Sequence, residues 1–155
     1  MESLIFLTEK RDLSVKARMC ANGSTQREYM EHDDASSPTV MCESILITAG
    51  IDAKQHRDVM TCDIPNAFVQ TDIPKKKLEQ GKRIIMKIRG ALVDILVEMN
   101  PEKYSPHVTK ENGRSVIYVM MLKALYGMLE SSLLYYRKLK GDIEMIGFEV
   151  NPYDP

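Results

Sequence analysis

The chain has 155 residues, 44% apolar and 28% charged, with 21 Lys and Arg against 22 Asp and Glu. Such a composition suits one globular domain able to bury a core, and it excludes a disordered tail or a fibrous repeat. No apolar run approaches the roughly 18 residues of a membrane span, and residues 1–7 are too short and too soon charged for a secretory signal.

Three cysteines (Cys20, Cys42, Cys62) without a CxxC spacing argue against a disulfide framework, so an intracellular setting, cytoplasmic or nuclear, is expected. The net charge of −1 hides a segregation. Residues 31–72 carry eight acids against Lys54 and Arg57, whereas residues 73–90 carry Lys75, Lys76, Lys77, Lys82, Arg83, Lys87 and Arg89 against Glu79. The two blocks are either solvated faces that neutralise each other or a metal site beside a phosphate-binding surface.

Residues 13–21 alternate, with Val15, Ala17, Met19 and Ala21 on one side and Lys16, Arg18 and Cys20 on the other. That period of two predicts a half-buried strand presenting two cations, ended by a turn at Asn22-Gly23. Residues 31–37 read as a loop. Ser37-Pro38 predicts a capped helix start and a helix to about Ala53, with Gly50 a weak point. Residues 58–64 read as a short core strand that Pro65 stops, followed by a helical turn over 66–69.

Beyond a charged connection, residues 84–88 are a strand candidate. Leu92, Ile95, Leu96 and Met99 recur at helical spacing until Asn100-Pro101 ends them. Residues 104–115 read as a loop with a turn at Asn112-Gly113, and residues 116–122 as a buried strand. A longer helix runs from Met128 to Ile146 with Leu129, Leu133, Tyr136, Leu139, Ile143 and Ile146 inward, stopped by Gly147. Residues 148–150 are a last strand candidate. This irregular order predicts an α+β fold.

Phosphate-loop, dinucleotide, zinc-protease and nucleophile-elbow motifs are absent. His32, His56 and His107 are scattered among polar residues. Asp63, at the end of a predicted apolar strand, is costly to bury unless it caps the following turn or holds a hard cation such as Mg²⁺.

Several motifs stand in a shared order: Glu9-Lys10-Arg11-Asp12, Lys16-Ala17-Arg18, residues 22–29, Ser37-Pro38-Thr39-Val40, residues 63–70, residues 122–128 and the closing residues 147–155. Together they resemble the reverse transcriptase of copia-type long-terminal-repeat retrotransposons, over nearly the whole chain.

The resemblance implies the fingers and part of the palm of a right-hand polymerase, within residues 1–155. Asp63 would be the first palm carboxylate, a catalytic ligand of Mg²⁺, and Ile64 would lend its backbone carbonyl to the metal. Lys16, Arg18, Asn66, Ala67 and Phe68 would meet the deoxynucleoside triphosphate, Phe68 as the gate against a ribose 2′-hydroxyl. The implied partners are an RNA or DNA template-primer and the remaining polyprotein domains, integrase and ribonuclease H, with a virus-like particle as one possible setting.

Departures accompany the matches. The family's aromatic-X-Asp-Asp turn does not occur in the sequence, and thumb and ribonuclease H segments are missing, so the chain is expected to be inactive alone. Glu130 stands where the family has Gln; beside a triphosphate its charge would cost on the order of 1 kcal/mol. The alternatives are a non-catalytic module binding nucleic acid through Lys75–Lys77, Lys82, Arg83, Lys87 and Arg89, and a relic product with no activity.

Overall fold

The structure is a computed structural model that describes residues 1–75, 79, 81 and 83–154. Lys76, Lys77 and Lys82 of the basic block, and Pro155 of the closing motif, lie outside the described residues. Five strands form one mixed sheet: β1 (Glu2–Glu9), β2 (Val15–Asn22), β3 (Ile85–Arg89), β4 (Thr109–Glu111) and β5 (Arg114–Met120), in the order β2-β1-β3-β5-β4. Among the described residues the helices are α1 (His32–Ala35), α2 (Cys42–Lys54), α3 (Ala91–Met99), α4 (Pro101–Tyr104) and α5 (Ser131–Glu144), with 3₁₀ turns at Gly23–Glu28, Phe68–Gln70 and Ser105–His107.

Two hairpins meet at the middle of the sheet. β1 and β2 are antiparallel from Glu2↔Asn22 to Glu9↔Val15, and β3 pairs antiparallel with β5 from Ile85↔Met120 to Arg89↔Val116. A single parallel pairing, Glu2↔Lys87, joins the two halves. Most of β1–β2 is therefore a free two-stranded ribbon.

The predicted strand over 13–21 is present as β2, but its apolar side is not half-buried: Val15 and Ala17 are exposed, and burial begins only toward Ala21. The one strand pairing to β3 is at Glu2, and among the described residues no layer covers the far end of the ribbon.

The core lies at the other end. Met86, Ile88, Val93, Ile117, Ala124, Met128 and Leu134 are buried together, bringing α3 against β3 and β5. Val93 is the deeply buried residue of α3, with Leu92, Leu96 and Val97 beside it, while Ile95 and Met99 face solvent. The predicted stripe is thus rotated by part of a turn. Asn100 ends α3 and starts α4: its side chain accepts from the Lys103 amide, and Pro101 occupies the first helical position.

Two expected strands are not formed, and one helix starts later than expected. Residues 58–64 form no strand and are exposed, because among the described residues no neighbouring strand supplies a ladder and an isolated strand gains nothing from its pattern. Residues 148–150 likewise pair with nothing among the described residues. Helix α2 starts four residues after Pro38; Met41 is its N-cap, and the cap is supplied from 113 residues away, where the Asp154 carboxylate accepts from the Met41 amide at 3.2 and 3.1 Å.

Elsewhere the differences are small. The loop expected over 31–37 contains the single turn α1. The loop over 104–115 contains β4, which Asn112 (φ 48°) and Gly113 (φ 76°) fold onto β5 as a two-residue hairpin turn. Helix α5 is three residues shorter at its start and two at its end than predicted, and Gly147 (φ 95°) stops it as expected. Leu133 and Leu134 are its buried apolar residues; Ile143 and Ile146 are exposed.

Candidate functional site

Three separated segments cross at the buried end of the ribbon. The Ala21 amide donates to Tyr126 O at 2.7 Å, the Ala124 amide to Thr71 O at 2.8 Å and the Ile73 amide to Leu122 O at 2.9 Å. The end of β2, residues 66–73 and residues 122–131 are thereby stitched through their backbones.

The crossing is tight because glycines make it. A Cβ on Gly127, whose φ is +87°, would lie 2.0 Å from Ala21 O, and one on Gly23 would lie 2.2 Å from Gly127 O. Only hydrogen fits at either position. Gln26, buried below them, accepts from the Leu129 amide through Oε1 at 3.0 Å, and the Ser131 hydroxyl donates to Leu125 O at 2.7 Å. The Gln26 oxygen and the Ser131 hydroxyl are thereby each satisfied.

Phe68 sits against this junction. Its ring centroid is 4.8 Å from that of Tyr126 and 6.0 Å from that of Tyr135, the latter edge-on. The turn that presents it is tied by Gln70 Nε2 donating to Pro65 O at 2.7 Å and Thr71 Oγ1 donating to Ala67 O at 3.2 Å. Asn66 adopts φ 54°, a left-handed geometry that Asn tolerates better than most residues. Asn66, Ala67 and Phe68 therefore form one ordered unit.

The remaining predicted residues stand apart from it. Asp63 and Ile64 precede the turn in exposed coil, and among the described residues Asp63 makes no hydrogen bond or ion pair. Lys16 and Arg18 lie on β2, exposed, with Arg18 directly opposite Phe6 and Lys16 opposite Thr8. Neither forms an ion pair among the described residues. Among the described residues no group of three or more His, Cys, Asp or Glu side chains could hold a metal ion.

The basic block is partly spent internally. Lys87 Nζ lies 2.5 Å from Glu111 Oε2, and Arg89 lies 2.9 Å from Glu2. Tyr118 donates to the other Glu111 oxygen at 2.5 Å. The Lys87 hydrogen bond, then that of Tyr118, holds the Glu111 carboxyl below the usual range; Glu111 in turn raises both Lys87 and Tyr118. These cations are structural partners across strands more than a free phosphate-binding row.

Sequence reasoning found the turns at Asn22-Gly23 and 66–69 but not their meeting. Gln26, Tyr126 and Tyr135 carried no periodic signal; only the two glycines hinted at a close backbone approach.

This chain is similar to retrotransposon polyproteins. Over 134 residues, 86% of its length, it is 27% identical to the retrovirus-related Pol polyprotein from transposon RE1 of Arabidopsis thaliana. Over 133 residues, also 86%, it is 23% identical to that from transposon RE2 of the same plant. The matched region spans 7% and 8% of those proteins' own lengths. No family model and no solved structure matches the chain. The distant homology supports a fragment of a retrotransposon Pol polyprotein. Among the described residues no helix is long and apolar enough to cross a membrane.

Proposed function

We propose that the chain is the nucleotide-facing part of a copia-type reverse transcriptase, with the fingers and partial palm of a right-hand polymerase fold, and that it does not catalyse by itself. One observation supports the reading: the motif at 122–128 is stitched through its backbone to Ala21, just before the motif at 22–29, and to Thr71 and Ile73, just after the motif at 63–70, and Gly23 abuts Gly127. Such a junction ties the segment that carries Phe68 to the end of β2 at Ala21, with Lys16 and Arg18 further along the same strand.

In this reading Lys16 and Arg18 neutralise triphosphate charge. The Asn66 and Ala67 backbone cradles the phosphates, and the Phe68 ring packs against the sugar and disfavours a 2′-hydroxyl. Asp63 and the Ile64 carbonyl would hold Mg²⁺ only together with carboxylates from elsewhere. One free carboxylate does not fit a two-ion site, so no phosphoryl-transfer step is assigned to these residues alone. The partners would be template-primer, deoxynucleoside triphosphate and the integrase and ribonuclease H regions of the polyprotein.

The test is a titration with a deoxynucleoside triphosphate and the matching ribonucleoside triphosphate in Mg²⁺. The deoxy form binds more tightly, Phe68→Ala narrows the difference, and Lys16→Ala or Arg18→Ala weakens both. Absence of binding, or a preference that Phe68→Ala leaves unchanged, overturns the reading. A primer-extension assay with the same chain gives no product; extension that disappears in Asp63→Ala would refute its incompetence.

A further inference from the structure

Helix α2 turns only one side toward the rest of the chain. Ser44 and Asp52 are half-buried there, and with Ile45, Thr48 and Ala49 they line a groove shared with Asn151 and Asp154. At about 100° per residue, Glu43, Leu46, Ile47, Gly50 and Lys54 fall on the opposite side, within a stripe roughly 100° wide. All five are exposed.

The stripe is ordered by charge. Glu43 lies in the first turn of the helix and Lys54 is its last residue. Neither forms an ion pair among the described residues. Between them Leu46 and Ile47 leave apolar surface in water, and a Cβ on Gly50 would meet nothing within 4 Å, so the helix surface is notched there. Read in reverse, the stripe complements itself: Glu43 falls opposite Lys54, Leu46 opposite Ile51 and Ile47 opposite Gly50.

We propose that α2 is the contact face of a homodimer, packed antiparallel on α2 of a second copy about a two-fold axis level with Thr48 and Ala49. Symmetry makes each contact twice. Glu43 pairs with the partner's Lys54, and Ile47 enters the notch at the partner's Gly50. A parallel pair would set Glu43 against the partner's Glu43 and Lys54 against the partner's Lys54, so charge selects the antiparallel arrangement. Two 13-residue helices are small beside the roughly 1,200–2,000 Å² of stable interfaces, so the dimer is weak and concentration-dependent. It uses none of the residues proposed to meet a nucleotide, and it stands or falls apart from that reading.

The experiment is sedimentation equilibrium of the full chain without nucleotide, over a series of protein concentrations. The parent chain fits a monomer–dimer equilibrium. Glu43→Lys and Lys54→Glu each weaken dimerisation by about tenfold or more, with helix content by circular dichroism unchanged. Mixing the two single variants restores a one-to-one heterodimer, because each reversed end then meets an opposite charge. Gly50→Leu adds apolar surface yet weakens the dimer by filling the notch, whereas unspecific apolar clustering would increase. A monomer at every concentration, which leaves α2 to a different partner, overturns the proposal. So do single variants that dimerise like the parent, a mixture that does not recover, or tighter association in Gly50→Leu.

Discussion

Gly127 shows how much a single position can carry. Its φ of +87° and the 2.0 Å approach to Ala21 O mean that Gly127→Ala strains the backbone and forces the crossing apart at once. We expect a loss of about 2–4 kcal/mol, read as a lower urea midpoint. Gly50, inside α2 with open space around it, is the counterexample: Gly50→Ala should stabilise by about 0.5–1 kcal/mol.

The Glu111 cluster adds a pH signature at the same scale. Because the folded carboxyl titrates below its ordinary value, its contribution is present above the usual Glu range and fades as pH falls through the lowered folded value. Lys87 and Tyr118 are raised, so their contribution holds below their ordinary values and fades as alkali passes the raised ones. Denaturation midpoints followed from neutral pH downward should fall less steeply in Glu111→Gln than in the parent chain.

Among elements, α2 and α3 are opposites. Helix α3 buries Val93 completely, so Val93→Ala should cost about 2 kcal/mol through lost burial and a residual cavity. No residue of α2 is buried, with Leu46 at 72% and Ile47 at 63% exposure. Leu46→Lys and Ile47→Lys should change stability by no more than about 0.5 kcal/mol while reducing self-association measured by light scattering. The sequence marks this segment as a helix, but local pattern does not say whether anything arrives to bury its apolar residues.

Across the whole molecule, stability is concentrated on one side. β3, β5 and α3 share the core, whereas the β1–β2 ribbon is tied by Glu2↔Lys87 and by the junction at Ala21. Amide hydrogen exchange should therefore be slowest in β3 and β5 and faster by orders of magnitude toward Thr8 and Lys16. Uniform protection along β2 would contradict this division.

Local order was legible residue by residue. The alternation over 13–21, the helical spacing from Leu92, and the glycine and asparagine signals at 22–23, 112–113 and 147 act over a few residues, and each produced the element or turn it predicts. What they could not convey is which element meets which. Residues 58–64 have the pattern of a strand and remain coil because a strand requires a neighbour. Asp154 caps a helix 113 residues away, and Phe68 finds Tyr126 and Tyr135, because the chain's path brings them together. Short-range preference is written in the amino acids themselves; contact between distant segments depends on how the backbone closes around Gly23 and Gly127, and there the tertiary structure alone decides.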